Sequence, residues 1–145
     1  MRLLIQRVKS ASVEVDGKIT GEIGKGLLVF LGVKDSDDGS EIPWLARKLV
    51  GLRIFEDEND KMNLSVEDVQ GEILLVSQFT LYADCSKGRR PGFSDAAPPQ
   101  KALEFYERFI SELKKLDFAP QTGIFQAKMQ VSLQNDGPVT MIVEK

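Results

Sequence analysis

The sequence predicts an α/β protein: one layered domain over residues 1–145, with mixed sheets and two main helices. Three observations carry the prediction. Strand-like segments outnumber helical ones, with no repeats, low-complexity tracts or linkers between them. Residues 26–33, GLLVFLGV, form a continuous apolar run of the kind buried on both faces of a sheet. And each of the two segments with a helical apolar period follows a strand that can lie beside another, as crossover helices do.

Each element has its own signal. Residues 2–9 and 12–15 alternate as strands, and the Asp-Gly turn in VDGK returns the chain as a hairpin through KITGEIG. DSDDGSEIPWLARKLVGL then switches to helical period, with Ile42, Leu45, Ala46 and Leu49 on one stripe, Ser40 as cap and Gly51 at the end. RIFED reads as a short strand and residues 58–61 as a polar turn, while 64–70 give no clear signal. Residues 73–79 are the central strand. The 83–97 loop is long for a compact domain and is read as functional on that ground. PPQKALEFYERFISELKKL is the second helix, with Pro99 in its first turn and Leu103, Tyr106, Phe109, Ile110 and Leu113 on its buried face. Two strands, 125–134 and 138–144, joined at NDG, close the chain.

Composition narrows the functional classes. With 42% hydrophobic and 28% charged residues, the chain reads as a soluble globular protein with a real core. Apolar runs such as LLVFL are far too short to span a bilayer, so no membrane partner is expected. The N-terminal segment lacks the apolar block and small-residue cleavage site of a signal peptide. The single cysteine, Cys85, allows no intramolecular disulfide and suits a reducing interior; the expected location is cytoplasmic. Zero histidines is the most restrictive number. It excludes Ser-His-Asp and Cys-His catalysis within this chain and, with one cysteine, the usual zinc sites. No clustered acidic signature argues for magnesium, so neither metal nor cofactor is expected. Net charge is −3, so a nucleic acid would have to meet a local patch. Lys87, Arg89 and Arg90 are the densest basic group, and read either as that patch or as a solvated loop.

Two motifs carry chemistry. SQFT, residues 77–80, ends the central strand, where ligand sites gather in sheets covered by crossover helices. Alternation puts Ser77 and Phe79 on one face, Gln78 and Thr80 on the other, so Gln78 and Thr80 can enter a pocket together. Backbone N–H groups beyond the ladder are then free to bind an oxyanion. The same side chains would equally satisfy backbone groups at a strand end. NDGPVT, residues 135–140, offers Asp-Gly as a hairpin turn with proline opening an edge strand, and leaves the isomer of its Gly-Pro bond open.

In this order and spacing, SQFTLYAD, the basic loop KGRRPGFSDAAPP and a closing NDGPVT resemble the D-aminoacyl-tRNA deacylase family. The resemblance runs the full length, from MRLLIQRVKSASVEVDGK through GLLVFLGV to the last strand. It implies a layered α/β/β fold with barrel-like sheets, a homodimer, and an editing hydrolase with aminoacyl-tRNA as its substrate. Such an enzyme cleaves the ester of D-aminoacyl-tRNA, and of glycine misattached to alanine tRNA, and rejects L-aminoacyl-tRNA. Carried over, Ser77, Gln78, Phe79 and Thr80 line a pocket at the dimer interface. Gly137 and Pro138 form a cis pair that the partner chain inserts there, so that backbone carbonyls engage the substrate's amino group. Arg7 braces that Gly-Pro segment. Phe125 and Met129, on the penultimate strand, either pack against the terminal adenine or fill core. Arg89 and Arg90, with Lys87 beside them, contact acceptor-stem phosphates.

The chemistry is compatible with a chain lacking histidine. An aminoacyl ester is already activated, so a poised water and oxyanion donors suffice, with the substrate's 2′-hydroxyl assisting. Thr80 has no base to activate it and is expected to orient rather than attack. Rival readings are a nucleic-acid-binding protein without catalysis and a carboxylate-metal hydrolase.

Overall fold

One long strand organises the sheet. The computed structural model, which describes residues 1–145, begins with β1 (Arg2–Val15), β2 (Lys18–Ile23) and β3 (Gly26–Gly32). α1 (Ile42–Gly51), β4 (Phe55–Glu56), β5 (Met62–Leu64) and β6 (Glu72–Ser77) follow. A 3-10 turn (Phe79–Tyr82), α2 (Pro99–Lys115), β7 (Gln121–Thr122) and β8 (Gln130–Glu144) complete the chain. Along one edge β1 pairs antiparallel with β3 over residues 2–8 and with β2 over 11–15. Its other edge pairs with β8, from Arg2↔Glu144 to Glu14↔Gln130. The two segments expected as separate strands are thus one, with exposed Lys9 and Ser10 where the partner changes. The hairpin turn is as read: Asp16 and Gly17 have φ of 50° and 75°, both left-handed as a type I′ turn requires.

Parallel pairing appears where helices cross over. α1 and the small β4–β5 hairpin connect β3 to β6, and α2 connects β6 to β7; both strand pairs are parallel, giving the order β2-β1-β3-β6-β7. The sheet curls until β7 approaches β2. A Cβ on Gly21 would lie 2.6 Å from the Thr122 carbonyl oxygen, so only glycine permits this approach. The result is a mixed α/β fold, as the sequence predicts, with the nearly closed, barrel-like sheet that the family resemblance implies.

Burial explains the continuous apolar runs. Leu27, Val29, Leu31, Ile73 and Leu75 join the large cluster with the helices, while Leu28, Leu74 and Val76 pack with Val8, Val13 and Ile23 from neighbouring strands. Each of β3 and β6 is therefore covered on both faces. α1 buries Ile42, Leu45, Ala46 and Leu49, the stripe read from its period. Ser40 is not its cap: Glu41 holds that position with no side-chain cap bond, and the Ser40 N–H donates to Asp38. In α2 the buried residues are Phe105, Tyr106, Phe109 and Leu113; Leu103 is exposed and Ile110 half-buried. Residues two apart lie on nearly opposite sides of a helix, so burying Phe105 turns Leu103 outward. The buried Tyr106 hydroxyl donates to the Leu75 carbonyl at 2.8 Å, tying α2 to β6. Burial raises its pKa above that of an ordinary phenol.

The C-terminus departs furthest from expectation. NDG is not a hairpin turn, and β8 is one strand. Between the pairs Gln6↔Thr140 and Val8↔Asn135, Arg7 of β1 faces four residues, Asp136, Gly137, Pro138 and Val139, so the motif is a wide bulge. The edge of β1 is long enough to receive both halves, and the chain has no need to reverse. No helix is long and apolar enough to cross a membrane.

Candidate active site

The carboxyl ends of β3 and β6 open on a cavity of about 710 Å³, the expected ligand position beside crossover helices. Leu31, Val33 and Val76 come from the strand ends, and Pro98, Pro99 and Ala102 from the first turn of α2. Phe125, Ala127, Met129 and Val131 form the opposite wall. Phe125 and Met129 stand in the segment before β8 rather than on a strand. Both also contact core: Phe125 packs against Tyr106 with ring centroids 6.1 Å apart, and Met129 against the inter-strand cluster.

The strand carrying SQFT stops at Ser77. Gln78 still donates its N–H to the Leu31 carbonyl at 2.8 Å, and the chain then winds into the 3-10 turn, closed first by Leu81 N–H to the Gln78 carbonyl at 3.3 Å. Gly32 makes room for this: a Cβ there would stand 3.0 Å from Leu81 Cβ and 3.2 Å from the Gln78 oxygen. The strand alternation expected through Thr80 therefore ends before reaching it. Gln78 and Thr80 meet through the turn instead, with Gln78 Nε2 donating to Thr80 Oγ1 at 2.5 Å. That bond uses Thr80 as an acceptor and leaves its hydroxyl proton to donate. The N–H groups ahead of a 3-10 turn's first bond, here those of Phe79 and Thr80, have no partner within the turn.

Ser77, Gln78 and Phe79 line the cavity; Thr80 is exposed beside it. The Phe79 ring meets Phe93 edge-on at 5.1 Å, and both rings line the cavity. Phe93 belongs to the 83–97 loop, whose neck is closed by reciprocal Asp84 and Gly92 backbone bonds of 2.8 and 2.9 Å. Lys87, Arg89 and Arg90 are exposed beyond that neck. The hydroxyl and N–H of Ser86 hold the Asp84 carboxyl below the usual carboxylate range. No titratable side chain lines the cavity; its polar groups are Ser77, Gln78 and Gln126. Nowhere do three His, Cys, Asp or Glu side chains gather as a metal site would require.

Gly137, Pro138 and Arg7 do not line this cavity. The Gly137–Pro138 peptide is cis, and Gly137 has φ +120°, where a Cβ would come within 2.8 Å of Val139 Cγ2 and 3.1 Å of Arg7 Nη2. Arg7 is 2% exposed beneath the bulge. Its Nε reaches Asp136 Oδ2 at 3.1 Å, its Nη1 donates to the Ile54 carbonyl at 2.7 Å, and its Nη2 to Glu56 at 3.3 Å. The Asn135 amide bridges the Arg7 and Val139 carbonyls, 3.0 Å each, clasping the bulge from inside. Gly137 and Pro138 themselves are exposed.

Sequence reasoning missed Phe93 and the Pro98–Ala102 wall. An aromatic inside a basic loop, and a proline pair opening a helix after it, were the available signals. The ties from Arg7 to Ile54 and Glu56 had none.

An apolar cavity at strand ends, edged by backbone donors and an amide and lacking its own acid, base or nucleophile pair, suits an enzyme acting on an already activated bond. Residues 4–144 match the family model described as D-Tyr-tRNA(Tyr) deacylase. The D-aminoacyl-tRNA deacylase of Desulfatibacillum aliphaticivorans is 59% identical, covering 99% of both chains. That of Pelobacter propionicus is 55% identical over 100% of both. Among solved structures, c-Myc DNA Unwinding Element Binding Protein is 44% identical with a TM-score of 0.93, covering 100% of this chain and 99% of that one. A probable eukaryotic D-amino acid tRNA deacylase shares the fold at 18% identity and a TM-score of 0.82, covering 98% of this chain and 97% of that one. The chain belongs to the D-aminoacyl-tRNA deacylase family, and is a hydrolase acting on an ester bond.

Proposed function

We propose that this deacylase removes D-amino acids and glycine from tRNA and spares L-aminoacyl-tRNA, using main-chain groups in place of catalytic side chains. The observation that carries the reading is a cavity without titratable lining beside a turn whose leading N–H groups have no partner within it. The ester carbonyl takes the place of those missing partners. Water adds to the carbonyl carbon, the bond to the ribose oxygen breaks, and the water's proton passes to that oxygen with the neighbouring 2′-hydroxyl assisting. Loss of one oxyanion donor costs roughly 10²–10³ in rate. Thr80, held as an acceptor by Gln78, orients water or substrate and forms no acyl intermediate.

Chirality is read at Cα in this proposal. The chain works as a homodimer in which Gly137 and Pro138 of one copy enter the cavity of the other. Their exposure on a bulge outside the lining of their own cavity supports this, since a second copy can bring them to one. Backbone carbonyls there engage the amino group and leave no room for an L side chain, while glycine, having no Cβ, passes. Phe125 and Met129 take the terminal adenine, a contact worth about 1–3 kcal/mol where it stacks. Lys87, Arg89 and Arg90 meet acceptor-stem phosphates.

The test is hydrolysis of matched D-tyrosyl-, L-tyrosyl- and glycyl-tRNA with chelator present. Loss of the D and glycyl esters with the L ester intact is expected. Loss of all three overturns the chiral filter, and survival of glycyl-tRNA overturns the Cα reading. Activity that needs added magnesium overturns the metal-free mechanism. The name of the 44% identical relative favours a second reading, binding of DNA without catalysis; salt-dependent DNA affinity without esterase activity would select it.

A further inference from the structure

We propose that Arg2 and Glu144 are positioning residues for the reaction, fixing the 3-10 turn from outside the cavity and thereby aiming the N–H groups of Phe79 and Thr80. The inference rests on the oxyanion role given to those groups above. Arg2 opens β1, Glu144 closes β8, and the two are direct register partners. Neither lines the cavity. The Arg2 guanidinium lies over the Tyr82 ring, 4.7 Å from its centroid, and donates through Nη1 to the Leu81 carbonyl at 2.5 Å. Its Nε and Nη2 hold Glu144 at 3.1 and 2.9 Å. Glu144 in turn accepts from the Tyr82 hydroxyl at 3.3 Å. Both contacts with the turn fall on the two residues that follow Thr80.

The consequence for the turn is geometric. Leu81 is held at both of its peptide groups, its N–H by the Gln78 carbonyl and its carbonyl by Arg2. With Gln78 anchored to β3 and Leu81 anchored to the β1–β8 corner, Phe79 and Thr80 span two fixed points. Their N–H directions follow from that span. Oxyanion donors must fall within a few tenths of an ångström of their ideal distance, and a misplacement of about 1 Å costs roughly 10²-fold in rate. The Arg2 and Glu144 side chains are 30% and 45% exposed, a setting in which an ion pair adds little to stability. Their loss should therefore register in turnover far more than in folding.

The experiment compares the parent chain with R2A, R2K and E144Q on D-tyrosyl-tRNA, reading kcat, KM and Tm separately. R2A is expected to lose about 10–100-fold in kcat with KM within about two-fold and Tm within a few degrees of the parent. R2K, which keeps charge but not the fork, should recover part of that loss. E144Q, which keeps shape and weakens only the grip on Arg2 and Tyr82, should fall between R2A and the parent. Parental kcat in R2A and E144Q, or a loss carried wholly by KM or by unfolding, overturns the positioning role. A parent chain inactive on the D ester overturns the proposed function, and this inference falls with it.

Discussion

Removing the Arg7 side chain should destabilise the protein by about 3 kcal/mol, much more than an ordinary surface charge would. The figure follows from its partners. The side chain is 3% exposed, and its shortest bond, 2.7 Å to the Ile54 carbonyl, is buried. A hydrogen bond to a charged donor contributes about 1.5–3 kcal/mol. The pair with Asp136, 29% exposed, adds a smaller share, and that with Glu56, 51% exposed, adds little. For a chain of this size each kcal/mol lowers Tm by roughly 2–4 °C, so Arg7→Ala should melt about 6–12 °C below the parent. Circular dichroism melts and urea midpoints would measure this for R7A, R7K, D136N and the R7A/D136N pair. Lysine cannot reach three acceptors on different segments, so R7K should lie between R7A and the parent. The double-mutant cycle should return a coupling of about 0.5–3 kcal/mol between Arg7 and Asp136. An R7A chain melting within two degrees of the parent, about the effect of a surface change, would refute the reasoning.

Other expectations follow from the same geometry. The raised pKa of the Tyr106 phenol makes its contribution to stability complete below the ordinary phenol value near 10 and progressively lost above it. Tyr106→Phe should flatten the alkaline fall in urea midpoint, leaving the part due to Tyr82, whose pKa burial also raises; an unchanged slope would count against the buried phenol as its source. Ala102→Trp fills the cavity from its α2 wall and should abolish turnover with Tm nearly unchanged, whereas full activity would move the site elsewhere. Replacing Arg89 or Arg90 with alanine should raise KM for tRNA, leave kcat alone and reduce the salt slope of binding by about one each; identical slopes would return the loop to a solvated role.

What could be read before the fold was known is what local pattern controls. β3 reads plainly because helices cover one face and other strands the other, so its apolar run has no gap. The α1 stripe and the Asp16-Gly17 turn are likewise set within a few residues. Two features are not local. That NDGPVT bulges instead of turning depends on β1 offering an uninterrupted edge to residues 130–144, a property of residues more than a hundred positions earlier. That the strand stops at Ser77 depends on Gly32 leaving space for Leu81. The apolar walls come from four separate segments, each ordinary by itself, and only their meeting makes a cavity. Leu103 was misread because two large aromatics, Phe105 and Phe109, decide which way α2 rolls.

The pairing of β1 with β8 also dictates when the protein can exist at all. β1 is synthesised more than a hundred residues ahead of β8, yet they zip together along nearly their entire lengths. On the ribosome β1 must keep one edge bare until residues 130–144 emerge, and a bare edge is a template for pairing with other chains. The Phe125–Val131 wall of the cavity is made almost as late. Such distant pairing slows folding relative to helical proteins of the same length. The cavity is therefore complete only after the segment that supplies Phe125 to Val131 has joined the sheet.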